Sequence, residues 1–499
     1  MQSPSRRAQE ERKLQVSRRR MLAGAAAATL VFGFDPVSRT WLGEARAASG
    51  FDHLPDLDGV VATDAATLSQ HATDAGNIVS GRPAAVLFPG SVRDIQKMVK
   101  FCRKRGINVA PRGQGHAMFG QALVKGGLSI DMGSLNQIHS ITSSSADVDA
   151  GATWKELVTA SVARGLTPPV LTGYLGLSVG GTLSVGGISP TYNQGAQVDH
   201  ARELEVVTGE GELVRCSAKL HPDLFEACLA GIGQYGIITR AVVDMVPAKP
   251  TVRVFQINYF DIATLLSDMN TLAERGEFND VSMLGFPDGA GGFVFQLSGV
   301  KYFDAAHPPD NARLLRGLIA APATAQIADQ PYLEYVLRVD ALVDVLRAIG
   351  QWDGIVHPWY DAWLPGSQVE GYLEKVLPTL KPEDIGPSGF LLLFPQRRAK
   401  FTRPLLRVPK CDGWVYLFDI FTASAAPGAN PQFAAQMLDR NRELFDLARA
   451  KGGTRYPIGA LEFNRFDWAF HYGEQFPEIV RLKRRFDPDR ILTPGPGIF

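Results

Sequence analysis

The stretch Pro111-Arg112-Gly113-Gln114-Gly115-His116-Ala117-Met118-Phe119-Gly120-Gln121 directly follows a predicted strand at 107–110. A second glycine-rich stretch, at 176–187, reads GLSVGGTLSVGG. Glycines lack a Cβ, so successive backbone N–H groups can turn towards one anion and bind phosphate oxygens. Two such loops from separate passages of the chain suit a pyrophosphate. Glycine-rich loops are also often only tight turns, and on spacing alone both interpretations stay open.

The first stretch does not match the standard nucleotide-binding fingerprints. Gly113 and Gly115 are followed by a glycine at 120 rather than at 118, and no helix pattern begins there, so the dinucleotide-binding motif fails. The chain has no G-x-x-x-x-G-K-S/T motif either. His116 is equally explained as a capping or hydrogen-bonding residue of a turn, and the residues by themselves favour that interpretation.

Short strands and capped helices alternate up to about residue 248 and predict an α/β cofactor-binding region. A predicted strand at 84–88 precedes a helix capped by Ser91 and Asp94. The composition changes at Pro247-Ala248-Lys249-Pro250. From there to about residue 455, strands such as 414–421 mix with helical patterns such as 433–451, which predicts a second, α+β domain.

Together with their neighbours, the two stretches resemble the vanillyl-alcohol oxidase superfamily of PCMH-type FAD-linked oxidoreductases, and most of all the cytokinin dehydrogenases. The family's R-G-x-G-H-S-x-x-G-Q-A loop corresponds to residues 112–122, and its Y-L-G-L-T-V-G-G-T-L-S segment to 174–184. Its G-G-L-G-Q-F-G-I-I-T-R segment corresponds to 230–240, its H-P-W to His357-Pro358-Trp359, and its F-D-P ending to 486–499. Several matching segments in the correct order, from about residue 80 onwards, argue against chance.

The resemblance implies the fold class α+β, with a PCMH-type FAD-binding domain in two parts, interrupted by an α+β substrate domain. The implied boundaries are 1–47 for a signal segment, 48–250 for the first FAD part, 251–455 for the substrate domain and 456–499 for the C-terminal return. The resemblance also implies that His116 bonds covalently to the 8α-methyl group of FAD. The other implied FAD contacts are Gly113, Gln114, Gly115, Ala117 and Gln121 near the pyrophosphate, Ser178, Thr182, Ser184 and Ile188 in and after the second stretch, and Ile238 at the adenine end.

The substrate side departs from the family pattern at a position that carries proton transfer. The family's W-T-D-Y-L-G-L has an aspartate that takes the substrate's proton, and this chain has Gly173 there. A base is still needed, because hydride loss from a C–H requires removal of the neighbouring heteroatom's proton. Asp361 replaces the asparagine of the family's H-P-W-L-N, and we predict Asp361 as the base and Trp359 as a flat aromatic surface for the donor.

The alternative for Asp361, which the residues by themselves favour, is a solvated loop residue. Glu462 is a second candidate base, and His357 is expected to be structural. In the region that supplies the family's pocket glutamate, this chain offers only Asp288. Pro496 stands where the family has a glutamine that contacts the flavin.

The predicted function is therefore an exported FAD-dependent oxidoreductase that acts on a small C–N or C–O donor, with an unidentified electron acceptor. Three alternatives remain: a cytokinin dehydrogenase proper, an oxidase of alcohols or sugars, and a catalytically inactive exported flavin-binding protein. The four cysteines, Cys102, Cys216, Cys228 and Cys411, show no metal-binding spacing, and no metal is expected.

The N-terminus predicts export. A basic stretch ends in Arg18-Arg19-Arg20, an apolar run follows at 22–34, and Ala45-Arg46-Ala47 offers a peptidase site. The run is shorter than the roughly 20 residues that span a bilayer, and the pattern resembles a twin-arginine signal. The alternative is a basic disordered tail before a core helix. After residue 47 the chain has 42 basic and 47 acidic residues, so its charge gives no reason to bind nucleic acid or an anionic membrane.

Overall fold

The computed structural model describes residues 31–35, 40–43 and 49–499. The chain divides between Leu54 and Pro55 into two compact units. In the first unit, strands β1 (Val31–Asp35) and β2 (Thr40–Gly43) form an antiparallel pair. The arginines at 18–20 and the small-residue site at 45–47, on which the predicted signal rests, lie outside the described residues. Among the helices that are described, none is long and apolar enough to cross a membrane.

The second unit contains the remaining strands and the α-helices, which are connected by loops and short 3-10 turns. The strands are β3 (Val60–Ala62), β4 (Ala85–Phe88), β5 (Val109–Arg112), β6 (Leu128–Asp131), β7 (Ile138–Ile141), β8 (Ser145–Asp149), β9 (Leu166–Thr167), β10 (Ala201–Val207), β11 (Leu213–Ser217), β12 (Ile237–Asp244), β13 (Val246–Pro247), β14 (Thr251–Tyr259), β15 (Asp280–Pro287), β16 (Phe293–Phe303), β17 (Gln326–Pro331), β18 (Tyr360–Pro365), β19 (Phe390–Arg397), β20 (Trp414–Phe421) and β21 (Thr454–Arg455). The helices are α1 (Ala65–Gln70), α2 (Val92–Arg105), α3 (Trp154–Val162), α4 (Val179–Val185), α5 (Pro222–Cys228), α6 (Ile262–Arg275), α7 (Asn311–Leu315), α8 (Tyr332–Val336), α9 (Arg338–Ala348), α10 (Val369–Val376), α11 (Pro382–Ile385), α12 (Pro431–Ala450), α13 (Arg465–Tyr472) and α14 (Phe476–Phe486).

The first part of this unit contains a four-stranded sheet in the order β3-β4-β6-β5, whose last three strands are parallel. Helix α2 connects β4 to β5, and the predicted cap of Ser91 and Asp94 is confirmed at its start. Strand β5 begins at Val109, two residues later than predicted, and includes Pro111. Its position at the edge of the sheet tolerates a proline, which cannot donate a backbone hydrogen bond.

An antiparallel five-stranded sheet follows, in the order β11-β10-β12-β8-β7. Helix α3 begins after a capping pair of Thr153 and Glu156. Most of the second glycine-rich stretch forms helix α4 rather than an open loop.

The third large sheet is antiparallel and has eight strands in the order β17-β14-β16-β15-β19-β20-β18-β21. It begins at Thr251, where the composition change predicts a new domain. The predicted strand at 414–421 is confirmed as β20, and the predicted helix at 433–451 is confirmed as α12. Helix α12 starts two residues earlier because Asn430 caps it and a proline occupies its first turn.

The chain returns at its end to the first sheet. The Val109 N–H donates to Ile491 O, and the Thr493 N–H donates to Val109 O, both at 2.8 Å. The buried Lys483 ammonium lies 2.8 Å from the buried Asp487 carboxylate and stabilises this return. Residues 491–493, near the end of the second unit, therefore bond to strand β5, which leads into the first glycine-rich stretch.

Candidate functional site

The His116 loop, residues 113–121, begins where strand β5 ends. Gly115 has a φ of 65°, which glycine adopts without steric cost, and the Arg112 guanidinium occupies the space where a side chain would stand. A Cβ at Gly113 would overlap Ser178 Oγ, so the two glycine-rich stretches meet at that hydroxyl. The structure therefore brings together the two passages that the sequence pairs as a pyrophosphate site.

Aromatic rings from separate segments surround the imidazole of His116. Its ring centroid lies 5.3 Å from that of Tyr174, 5.6 Å from that of Trp359 and 6.0 Å from that of Trp352. Trp359 packs edge-on against Phe421 at 4.5 Å. We term Tyr174, Trp352, Trp359 and Phe421 the aromatic wall. Such rings offer apolar and π surface to a planar or cationic molecule.

The imidazole of His116 is uncharged at neutral pH. The ring keeps some accessible surface, yet the surrounding protein lowers its pKa to about 4, chiefly through burial and further through His357 and Arg347. A neutral imidazole has a free electron pair, as a nucleophile requires. His357 is itself buried; its Nε2 lies 3.3 Å from Trp352 O, and its Nδ1 has no hydrogen-bond partner among the described residues, so its structural role stays a prediction.

Several predicted FAD contacts in the second half of the cofactor region have protein partners. Thr182 Oγ1 accepts a hydrogen bond from Trp154 Nε1 at 2.7 Å, and Ser184 Oγ donates to Gly180 O at 2.7 Å. The FAD contacts of these residues stay predictions, as do those of the remaining members of the set, which are the buried Ser178, the half-buried Ile188 and the buried Ile238 of β12.

Gln121 joins the His116 loop to the segment 457–459. Its Nε2 donates to Pro457 O and Ile458 O at 3.0 Å, and its Oε1 accepts from the Phe119 N–H at 2.8 Å. Both ends of the amide are thus bonded to backbone, so Gln121 shapes the loop, and its contact with a pyrophosphate stays a prediction. Gln114 is exposed and Ala117 is half-buried on the same loop.

The interpretation of Asp361 as a solvated loop residue is wrong. Asp361 is the second residue of strand β18, is only 6% exposed, and lies directly opposite Asp419 of β20. Asp361 Oδ2 and Asp419 Oδ1 have no hydrogen-bond partner among the described residues. Burial raises the pKa of both carboxyls, and the neighbouring charge of Asp361 raises that of Asp419 further. We term these two residues the carboxyl pair; at neutral pH such a pair retains a proton between its members.

The carboxyl pair lies next to the segment 457–459, which bonds to Gln121 of the His116 loop. A Cβ at Gly459 would overlap Asp361 Oδ2, and Gly459 O accepts a hydrogen bond from Gln121 Nε2 at 3.3 Å. The buried guanidinium of Arg455 on β21 opposes the charge of Asp361 and limits the rise in its pKa. The pair is therefore an acid–base group close to the aromatic wall, two residues after Trp359.

Position 173 leaves open space on the substrate side. Of the described residues, only Val339, with its Cγ2 at 3.9 Å, comes within 4 Å of where a Cβ of Gly173 would stand. The neighbouring segment is fixed by Asp340 of α9, whose Oδ2 accepts from the Leu175 N–H at 2.9 Å. An aspartate at 173 would consequently fit without displacing the chain.

The two other acidic candidates lie at the surface. Asp288 sits in the turn between β15 and β16, where its carboxylate accepts hydrogen bonds from the backbone N–H groups of Ala290 and Gly292. Glu462 is also exposed. Neither is buried, as Asp361 is.

Sequence reasoning missed Trp352 and Asp419. Trp352 lies in a loop after α9 and carries no motif, so only the structure places it beside His116. Asp419 is the one charged residue of the otherwise uncharged strand β20, and a lone charge in a buried strand is a signal that the sequence did contain. Its partnership with Asp361 depends on the register between two strands that are far apart in sequence.

The residues present fit the flavin nucleotide that the resemblance implies. The meeting of Gly113 with Ser178 lets backbone approach a phosphate, and a neutral imidazole stands among flat rings. Within residues 49–499, no group of His, Cys, Asp and Glu is arranged to hold a metal ion, and the four cysteines are free.

Comparison with known proteins identifies relatives along nearly the whole chain. A family profile for an FAD-binding domain matches residues 83–217, and one described as cytokinin dehydrogenase 1, FAD and cytokinin binding, matches 252–499. The oxidoreductase ORF5 of the fasciation locus of Rhodococcoides fascians is 35% identical over 441 residues, which cover 88% of this chain and 99% of that protein. Cytokinin dehydrogenase 4 of Arabidopsis thaliana is 31% identical over 492 residues, covering 89% and 93%. Cytokinin dehydrogenase 4 of Oryza sativa subsp. japonica is 31% identical over 500 residues, covering 90% and 93%.

Proposed function

Because this chain belongs to the PCMH-type FAD-linked oxidoreductases, in the group that contains the cytokinin dehydrogenases, it is an FAD-dependent enzyme, and we propose that it oxidises a small planar C–N or C–O donor with FAD bonded to His116. One observation carries this proposal: the uncharged imidazole of His116 stands within 6.0 Å of three rings of the aromatic wall, measured between centroids. A bonded cofactor at that position would have flat rings beside it for the donor.

A two-part FAD domain with an interrupting substrate domain is supported by the chain's return to strand β5. Residues 491–493 bond to Val109, and residues 457–459 bond to Gln121 of the His116 loop. All eight strands of the third large sheet lie in sequence between the His116 loop and residue 457. Phe421 of β20 and Trp359, the residue before β18, belong to the aromatic wall. The donor would accordingly bind between the cofactor region and this sheet.

Each group in the site has a role in the proposed reaction. Bound FAD supplies the acceptor for a hydride from the C–H next to the donor's nitrogen or oxygen. The aromatic wall orients a flat donor and excludes water from it. The backbone at Gly113 and the hydroxyl of Ser178 approach the cofactor's pyrophosphate. His116 holds the cofactor through its neutral nitrogen.

We propose Asp361 as the group that removes the donor's proton, in place of the aspartate missing at 173. Its position two residues after Trp359, its raised pKa and its unpaired Oδ2 among the described residues support this role. The two carboxyls face each other across adjacent strands and retain one proton at neutral pH, so Asp361 would accept the donor's proton while Asp419 holds the first.

Oxidation of cytokinins proper is a second candidate, which the names of the two cytokinin dehydrogenases and the description of the 252–499 profile favour. Gly173 argues against it, because glycine cannot accept a proton from the substrate. A donor panel of cytokinins, other secondary amines, alcohols and sugars separates these possibilities. If no donor bleaches the flavin absorbance without oxygen, the inactive flavin-binding alternative is supported.

The decisive experiment is denaturation of the purified protein. We expect the yellow flavin fluorescence to remain with the polypeptide, because a covalent bond survives unfolding. A His116→Ala variant should release all of its flavin, whereas His221→Asn, on the wall of a separate surface cavity of about 630 Å³, should retain it. Free flavin from the unsubstituted protein would refute the linkage.

We also propose that the protein is exported in folded form by a twin-arginine signal. The proposal is supported by the arginines at 18–20, the apolar run at 22–34 and the Ala45-Arg46-Ala47 site. Replacing Arg18, Arg19 and Arg20 by lysine should leave the flavoprotein in the cytoplasm, which cell fractionation measures. Unchanged export of this variant would contradict the proposal.

A further inference from the structure

Residues 73–77 lie beside the His116 loop and hold it through the main chain. The Ala75 N–H donates to Gly115 O at 2.8 Å, and the Gly76 N–H donates to Ala117 O at 3.2 Å. These two bonds lie on either side of His116 in the sequence. They therefore fix the backbone of the one residue whose side chain is to reach the cofactor.

The carboxylate of Asp74 extends this hold to the far end of the loop. Asp74 is only 5% exposed, and its Oδ2 accepts a 2.6 Å hydrogen bond from the Gly120 N–H. Its Oδ1 accepts from the Gly76 N–H at 3.2 Å. Arg112, the last residue of β5 before the loop starts, donates from Nη1 to Thr73 O at 2.7 Å. The segment 73–77 thus contacts the loop at its start, its centre and its end.

The same segment also fixes the strand entry that carries Trp359. Gly76 O accepts a hydrogen bond from the His357 N–H at 2.9 Å, and Asn77 Nδ2 donates to Ile355 O at 2.8 Å. One short segment therefore sets the position of His116 and of the ring that packs edge-on against it at 5.6 Å.

A charged group at this place lowers the stability of the fold. Burial raises the pKa of Asp74 to about 7, although the Gly120 N–H and the positive charge of Arg112 oppose the rise. The other ionisable groups near Arg112 are Asp131 and its partner His71, whose Nε2 lies 3.1 Å from Asp131 Oδ2. A carboxyl whose pKa is higher in the folded than in the unfolded state costs stability once it ionises. Stability alone therefore does not explain Asp74, whereas the geometry of the loop does.

We infer that Asp74 is a positioning residue for the covalent attachment of FAD, acting through the His116 loop. This inference rests on the proposed linkage at His116. In the attachment, a bond forms between an imidazole nitrogen and the 8α carbon, and the imidazole N–H and one methyl C–H are lost. The two protons and two electrons released pass through the flavin to dioxygen, which becomes hydrogen peroxide.

The test measures the rate at which flavin becomes non-extractable. Protein made in riboflavin-limited cells is given FAD under air, samples are denatured at intervals, and polypeptide-bound fluorescence is recorded. Asp74→Asn keeps an acceptor oxygen for Gly120 but removes the charge, and Asp74→Ala removes both. Asp94→Asn is the matched control, because Asp94 is fully buried in the same region and accepts from the N–H groups of Asp58, Gly59 and Gly90.

We expect Asp74→Ala to slow attachment by about tenfold to hundredfold, since a reacting atom misplaced by about 1 Å costs up to about 10² in rate. Asp74→Asn should be intermediate, and both variants should still bind FAD non-covalently and keep the circular dichroism of the unsubstituted protein. Asp94→Asn should attach flavin at the unsubstituted rate.

Attachment at the unsubstituted rate in both Asp74 variants would overturn the inference. An equal slowing in Asp94→Asn would also overturn it, because the effect would then follow general destabilisation. If Asp74→Ala does not fold, the isosteric Asp74→Asn decides. Complete release of flavin from the unsubstituted protein would refute the linkage at His116, and the inference with it, whereas normal attachment in the variants refutes the inference alone.

Discussion

On the cofactor side of the site, backbone hydrogen bonds from residues 73–77 and 457–459 hold the His116 loop. On the substrate side, position 173 is a glycine with open space beside it, and the proposed acid–base group is the carboxyl pair on the eight-stranded sheet. The cofactor side thus retains the loop motif of its family, and two other segments hold this loop by hydrogen bonds. The substrate side differs from the family pattern at Gly173, where the family has an aspartate.

Buried aspartates serve different purposes in the two regions. Asp74 accepts hydrogen bonds from two backbone N–H groups, and its charge is compensated in part by Arg112. Asp361 and Asp419 each keep an oxygen without a hydrogen-bond partner among the described residues. Burial raises the pKa of Asp74 and of Asp361 alike, but the hydrogen bonds of Asp74 are used to hold the backbone of the His116 loop. The buried aspartates of the two regions therefore differ in their hydrogen-bond partners rather than in their burial.

The largest expected effect separates the two regions directly. Asp361→Asn keeps the shape of the side chain and removes its ability to accept a proton. We expect kcat for the best donor to fall by about 10² to 10⁴, the usual contribution of a general base, while covalent flavin content is unchanged. Anaerobic flavin reduction by stopped flow measures the step. An unchanged rate of reduction would mean that Asp361 is not the base.

The next effect tests the space at position 173. Gly173→Asp should raise the oxidation of N6-isopentenyladenine by about tenfold or more, since each 1.4 kcal/mol of added transition-state stabilisation gives a factor of ten. The open space beside Gly173 accommodates the new side chain. Gly173→Asn, of equal size but without a base, is the control. Strong oxidation of this substrate by the unsubstituted protein would show that the argument from the missing aspartate is wrong.

A smaller effect concerns the pH dependence of stability. Folding raises the pKa of both members of the carboxyl pair, so between the unfolded value near 3.8 and the higher folded values the native state binds more protons than the unfolded state. The pair's contribution to stability therefore falls as pH rises through that range. Over this pH range, the free energy of unfolding of Asp419→Asn should fall by at least about 1 kcal/mol less than that of the unsubstituted protein, which is the equivalent of roughly one pKa unit.

Thermal unfolding of the two proteins from pH 4 to pH 8 measures this difference. Buried histidines such as His116 and His471, whose pKa values burial lowers, titrate in both proteins and cancel in the comparison. Parallel stability curves for the two proteins would contradict the shared proton.

The smallest expected effect is that of Glu462→Gln. Glu462 is exposed, so its carboxylate lies at the surface rather than in a buried site such as that of Asp361. We expect kcat/KM to stay within about twofold of the unsubstituted value, as for most surface substitutions away from a site. A loss comparable to that of Asp361→Asn would transfer the role of base to Glu462.

Features that depend on local hydrogen bonds could be predicted from the sequence, whereas features that depend on distant segments could not. The helix start at Ser91 and Asp94 follows from local hydrogen bonds, and the sequence predicted it correctly. The second glycine-rich stretch, expected to be a phosphate-binding loop, is mostly helical, because burial of Val179 and Leu183 outweighs the low helix propensity of its glycines. The buried environment of Asp361 could not be predicted from the sequence, because it depends on strand β20, which lies more than fifty residues later.

The sequence by itself determined the cofactor region through several segments that resemble the family in the correct order, because the spacing of the glycines alone left both a phosphate-binding loop and a tight turn open. It also determined that the family's aspartate is missing, since Gly173 has no side chain. Only the tertiary structure decided what surrounds these positions: the aromatic wall, the hold of Asp74 on the His116 loop, and the carboxyl pair. Each of these joins segments that are distant in the chain, and no local propensity specifies such a contact.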